Sequence, residues 1–126
     1  MSDSTSGEND ESMSDFRGAS ETRLDVLFGV LAKRRRRVAL RCLVAYDTPM
    51  TLADLADEVA VREREATLAQ IPADDVMQVY LSLYHAHVPK LGDAGFVEYS
   101  QEQDLVRLTE EPDRIRRLLD AAPTEE

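Results

Sequence analysis

A chain of 126 residues is long enough for one hydrophobic core and too short for two, so any function rests on a single domain. Hydrophobic residues make up 43% and charged residues 32%, with a formal net charge of −10, which predicts a folded but heavily solvated protein. No run of about 18 apolar residues exists, which excludes a membrane helix, and the polar, acidic N-terminus lacks a secretory pattern. The single Cys42 has no partner for an internal disulfide, so a cytoplasmic, reducing location is expected.

The kind of charge is also informative. Lysine occurs only as Lys33 and Lys90, and acids outnumber bases twenty-five to fifteen. Carboxylates hold hydrated cations while lysine stems expose apolar carbon, and at 1 M salt a Debye length of about 3 Å removes most self-repulsion. This balance predicts a halophilic protein; the alternative is an acidic mesophilic protein with a disordered tail.

Residues 1–20 carry only Met13 and Phe16 as large apolar side chains, too few to offset ordering entropy, and are predicted to be a disordered acidic tail. Residues 123–126 are expected to be loose. Leu24, Leu27, Phe28 and Leu31 then fall at i, i+3, i+4 and i+7, one face of a short helix. After the basic run Lys33 to Arg37, a second helix over Val38 to Tyr46 is expected to bury Ala39, Leu40, Leu43 and Val44, and to stop at Asp47-Thr48-Pro49. Thr51 and Asp54 form a capping box ahead of a third helix with Leu52, Leu55, Ala56 and Val59 inward. The alternating charges of Arg62 to Glu65 read as solvated surface.

The helix beginning near Ala73 is apolar almost all round, leaving Gln78, Ser82 and His85 as a narrow polar stripe. Either it is buried on two sides or one side meets a partner chain. Pro89 is expected to bend or restart it, and Gly95 to end it. The period then falls to two: Val97 and Tyr99, a polar turn, then Val106 and Leu108 predict a hairpin over 96–109. A last helix follows, with Ile115, Leu118, Leu119 and Ala122 on one face.

This order, with His87 to Tyr99 followed by Val106 to Thr109, resembles the end of the recognition helix and the wing of arsenical-repressor-type regulators. Arg36 to Leu43 and Met50 to Ala56 are similar to their first two core helices. More narrowly, Tyr80 to Gly95 resembles a large haloarchaeal family of small winged-helix proteins catalogued as a domain of unknown function. The resemblance implies a mainly α fold with a small β-hairpin, a winged helix-turn-helix with flanking N- and C-terminal helices over 21–122. It departs from the pattern between Val59 and Asp74, where either the second helix is long or a loop is inserted, and in the wing tip, which holds Glu102 and Asp104 but no base.

The resemblance implies a transcription regulator that binds double-stranded DNA as a homodimer, with the helix from Ala73 in the major groove and the hairpin beside it. Candidate DNA contacts are Arg34, Arg35, Arg36, Arg37, Arg41 and Lys90 for phosphate, and Gln78, Ser82 and His85 for base edges. The competing reading of the basic run is an arginine-rich helix start paired with nearby acids. The faces Leu24/Leu27/Phe28/Leu31 and Ile115/Leu118/Leu119/Ala122 are expected to meet across a two-fold axis. The alternative function is a winged-helix protein-interaction module without DNA binding, favoured by the acidic composition and the uncharged reading helix. His85 and His87 lack metal-ligand spacing, and no catalytic motif is present, so no cofactor, metal or enzymatic activity is expected.

Overall fold

The computed structural model describes residues 23–47 and 49–122; the predicted tail over 1–20 and the end over 123–126 lie outside them. Helix α1 is described over 23–31, followed by α2 (Arg34–Tyr46), β1 (Met50–Thr51), α3 (Leu52–Arg64) and a 3-10 turn (Leu68–Gln70). Then come α4 (Ala73–Ser82), a π-helical turn (Leu83–His87), α5 (Val88–Asp93), β2 (Val97–Ser100), β3 (Leu105–Leu108) and α6 (Pro112–Ala121). The fold is mainly α with a small antiparallel sheet, a winged helix-turn-helix flanked by further helices.

The predicted inward faces are buried. Ala39, Leu40, Leu43 and Val44 of α2 meet Leu52, Leu55, Ala56 and Val59 of α3, and Leu83, Leu91, Phe96, Val106 and Ile115 close the core. Helix α2 begins at Arg34, earlier than expected, because arginine is a good helix former and the basic run continues the turn rather than preceding it. It stops at Asp47, whose left-handed backbone (φ 56°) lets its amide donate to the Leu43 carbonyl. The Thr51 hydroxyl accepts from the Asp54 amide at 3.0 Å, as the capping box predicts.

The sheet has three strands in the order β1-β3-β2, one more than the expected hairpin. Met50 pairs with Val106 and Thr51 with Leu105, so Met50 and the α3 cap residue Thr51 form an edge strand too short to show a period. Between α3 and α4 the long-helix alternative holds to Arg64. Glu65 then turns left-handed (φ 52°), and the 3-10 turn leads into Pro72 as the α4 cap.

At Pro89 the helix that begins at Ala73 restarts, as expected: α4 ends at Ser82, and after a π-helical turn α5 begins at Val88 with Pro89 in its first turn. In a regular α-helix the proline ring would strike the carbonyl of His85. The backbone widens instead, and the Val88 amide bonds the Leu83 carbonyl five residues back. Right-handed geometry is thus kept from Ala73 to Asp93, until Gly95 (φ 85°) turns the chain into the wing.

The faces assigned to a two-fold contact are largely covered within one chain. Leu27, Leu31, Ile115, Leu119 and Ala122 are buried in the single core, and Leu24, Phe28 and Leu118 are half-buried against it. Helix α6 packs directly on α2, so the core extends over both flanking helices.

Candidate interaction face around the fourth helix

Arg35, Arg36 and Arg37 of the basic run, and Arg41 beyond it, are engaged within the chain. Arg35 forms a two-pronged pair with Glu63, both nitrogen–oxygen distances 2.7 Å, and its third nitrogen donates to the Ser82 hydroxyl at 3.0 Å. Ser82 in turn donates to the Val79 carbonyl at 2.9 Å. One guanidinium therefore joins α2, α3 and α4, and its acidity is weakened chiefly by the Glu63 hydrogen bond, against the opposing effect of burial. Arg36 donates to His87 Nδ1 at 3.1 Å and to the Val30 carbonyl at 3.2 Å. Arg37, only 9% exposed, donates to the carbonyls of Leu31 and Ala32, closing the end of α1. Arg41 pairs with Asp120 at 3.3 Å on the surface.

Arg35 and Arg41 meet acids, as the paired-arginine reading has it, and Arg36 and Arg37 are held instead by His87 and by backbone carbonyls; Arg34, Lys33 and Lys90 are exposed. Glu63, read as solvated charge, is instead the partner that fixes Arg35, with a side chain 13% exposed. Ser82, expected on the outward stripe, faces Arg35, because its position on α4 lies beside α3 rather than opposite the core. Gln78 and His85 are exposed as expected.

His87 is held neutral on the ring nitrogen that accepts from Arg36, which leaves its hydrogen on Nε2. Burial pushes the imidazole below its ordinary value of 6.5, and the charges of Arg36 and Arg35 add to that. A depressed value means that the neutral ring's stabilisation is present above pH 6.5 and lost as pH falls through the folded value. The melting temperature is expected to drop on acidification from about pH 7 to about pH 5, and His87→Gln to show a smaller drop. An equal drop in both proteins, followed by circular dichroism, would assign the effect to other groups.

The outward side of α4 is apolar where a groove-reading helix is usually polar. Met77 is 54% and Leu81 43% exposed, one turn apart and beside Gln78 and His85. Tyr80 stacks on Tyr84, and the Tyr84 ring meets Tyr99 of β2 edge-on at 6.3 Å, so these rings bind the wing to the helix. Gln101 at the wing tip donates to the Tyr84 hydroxyl at 3.1 Å. The wing's arginine, Arg107, is paired with Glu98 across the strands.

Between α3 and α4 lies a groove of about 500 Å³ whose apolar lining includes Ala53, Leu68, Ile71, Val76, Met77 and Tyr80, with Asp57 as its charged side chain. Leu68 is 43% exposed there. The segment over 65–72 that supplies this wall had no assigned role in the sequence. Its signal was present: Thr67 and Gln70 have capping-box spacing, and the Gln70 side chain accepts from the Thr67 amide at 2.9 Å, holding Leu68 outward. Burial pushes the Asp57 carboxyl above its ordinary value, and Asp54 and Glu58 add to this.

Residues 28–107 match the family described as a domain of unknown function (DUF7344). The chain belongs to this family. The match runs from α1 to β3 and so takes in the arginine contacts, the groove and the wing of the DUF7344 domain, leaving α6 outside. No curated protein and no solved structure matches the chain. Among the described residues, no helix is long and apolar enough to cross a membrane.

Proposed function

We propose that this chain is a winged-helix protein-interaction module that receives its partner on the outer side of α4. The observation that carries this reading is the exposure of Met77 and Leu81 in the middle of the helix. Full burial of such a side chain contributes about 1.5–3 kcal/mol, so covering two half-exposed ones favours association by roughly 1 kcal/mol each, before the groove beside them is counted. Water has no such preference for them, and neither has a phosphate backbone. The lysine-poor acidic surface supports work in the cytoplasm of a halophilic archaeon, where screening offsets self-repulsion.

The transcription-regulator reading draws support from Gln78 and His85, exposed on the same helix with Lys90 beyond them. Against it, the four engaged arginines have protein partners, and the net charge of −10 repels phosphate. Anisotropy titration of labelled genomic duplexes in KCl from low to molar concentration separates the two. The expected result is no duplex binding at any salt. Binding whose sequence preference shifts in Gln78→Ala or His85→Ala, at ~1–3 kcal/mol for a good base contact, would establish the regulator instead.

A further inference from the structure

We infer that the groove between α3 and α4 takes a basic amphipathic helix, with its apolar side chains against Leu68, Val76, Met77 and Tyr80 and its cations against Asp54, Asp57 and Asp74. This deepens the proposed function and rests on it.

The shape of the groove argues for a helix. Its α4 wall runs through Ala73, Met77 and Tyr80, positions i, i+4 and i+7, and so follows the helix axis for about two turns, or roughly 10 Å. Its walls are helices and a 3-10 turn with no strand edge, so an extended peptide would find no backbone ladder there. An apolar stripe laid along such a groove is the usual mode of helix recognition.

The charges argue for a basic occupant. Asp57 lines the groove, Asp54 and Glu58 are close enough to raise its proton affinity, and Asp74 follows the lining residue Ala73. Among the described residues none of Asp54, Asp57 and Asp74 is in an ion pair, whereas Asp75 is taken by Arg64 at 2.8 Å. A second copy docked symmetrically would bring the same acids toward one another, and an acidic partner would do the same. Lysines or arginines flanking an apolar stripe relieve that repulsion.

The probe is a fluorescein-labelled peptide of leucine and lysine patterned as an amphipathic helix, titrated with the full chain in moderate KCl and followed by anisotropy. Two controls accompany it: the same composition scrambled, and the same pattern with glutamate in place of lysine. The patterned basic peptide is expected to bind at least about tenfold tighter than either control, and about tenfold less tightly to Ala53→Trp, which fills the groove. Asp57→Asn is expected to weaken it about threefold and to flatten its salt dependence. Should Ala53→Trp not fold, Met77→Lys takes its place with the same expected loss.

Equal binding of the scrambled peptide, or an unchanged affinity in the groove variants, overturns the inference. So does a dimer by light scattering that Ala53→Trp turns into a monomer, because the groove then belongs to a second copy. Duplex DNA is titrated in parallel. Peptide failure without duplex binding removes the basic helix alone, whereas duplex binding that changes in Gln78→Ala removes the reading beneath it.

Discussion

Arg35→Gln is expected to lower the free energy of unfolding by about 2 kcal/mol, measured by urea titration in KCl. The substitution strands Glu63, whose side chain is 13% exposed, and removes the donor to Ser82. Breaking a fully buried pair costs about 3–5 kcal/mol, and the value is reduced here because the Arg35 side chain is 32% exposed. Glu63→Gln combined with Arg35→Gln should cost less than the two singles added, since the second change removes a charge already left unpaired. A guanidinium reserved for phosphate would behave differently: its loss would alter stability by no more than about 0.5 kcal/mol. That result would return the basic run to the DNA reading.

Leu83→Ala is expected to destabilise by about 3 kcal/mol, whereas Leu81→Ala, two residues away, should stay within about 0.5 kcal/mol. Leu83 is fully buried at the start of the π-helical turn, where its carbonyl also accepts from Val88, while Leu81 points outward. The contrast tests the orientation of the whole helix, because Leu81 and Leu83 lie about half a turn apart and a rotation of that size would exchange buried and exposed positions. Similar losses in the two variants, by chemical unfolding, would mean that Leu81 is covered in solution.

The fold was largely legible because hydrophobic spacing reports burial directly. The faces of α2, α3 and α6, the Thr51 cap, the Gly95 stop and the wing strands all followed from periods of 3.6 or 2 and from local turn chemistry. What periodicity does not encode is which distant charge meets which. Glu63 alternates with arginines in a pattern that suits a solvated surface equally well, and only the crossing of α2 and α3 brings it to Arg35. Pro89 marked the restart at α5, but a proline rule states only the clash and not the wider turn that avoids it. The groove fell in a stretch with too few apolar residues for any period, though Leu68 and Ile71 stood out from their polar neighbours.

Cys42 sits at the centre of α2 with no solvent exposure, and burial pushes its thiol up to about 11. Thiolate, not thiol, is the reacting form, so an alkylating reagent meets almost no target while the helix is seated. Labelling then proceeds only through openings that lift α2 from α3 and α6, the same openings that part Arg35 from Glu63. The rate of alkylation against salt therefore serves as an intrinsic clock for the Arg35–Glu63 pair, readable by mass spectrometry without any engineered label.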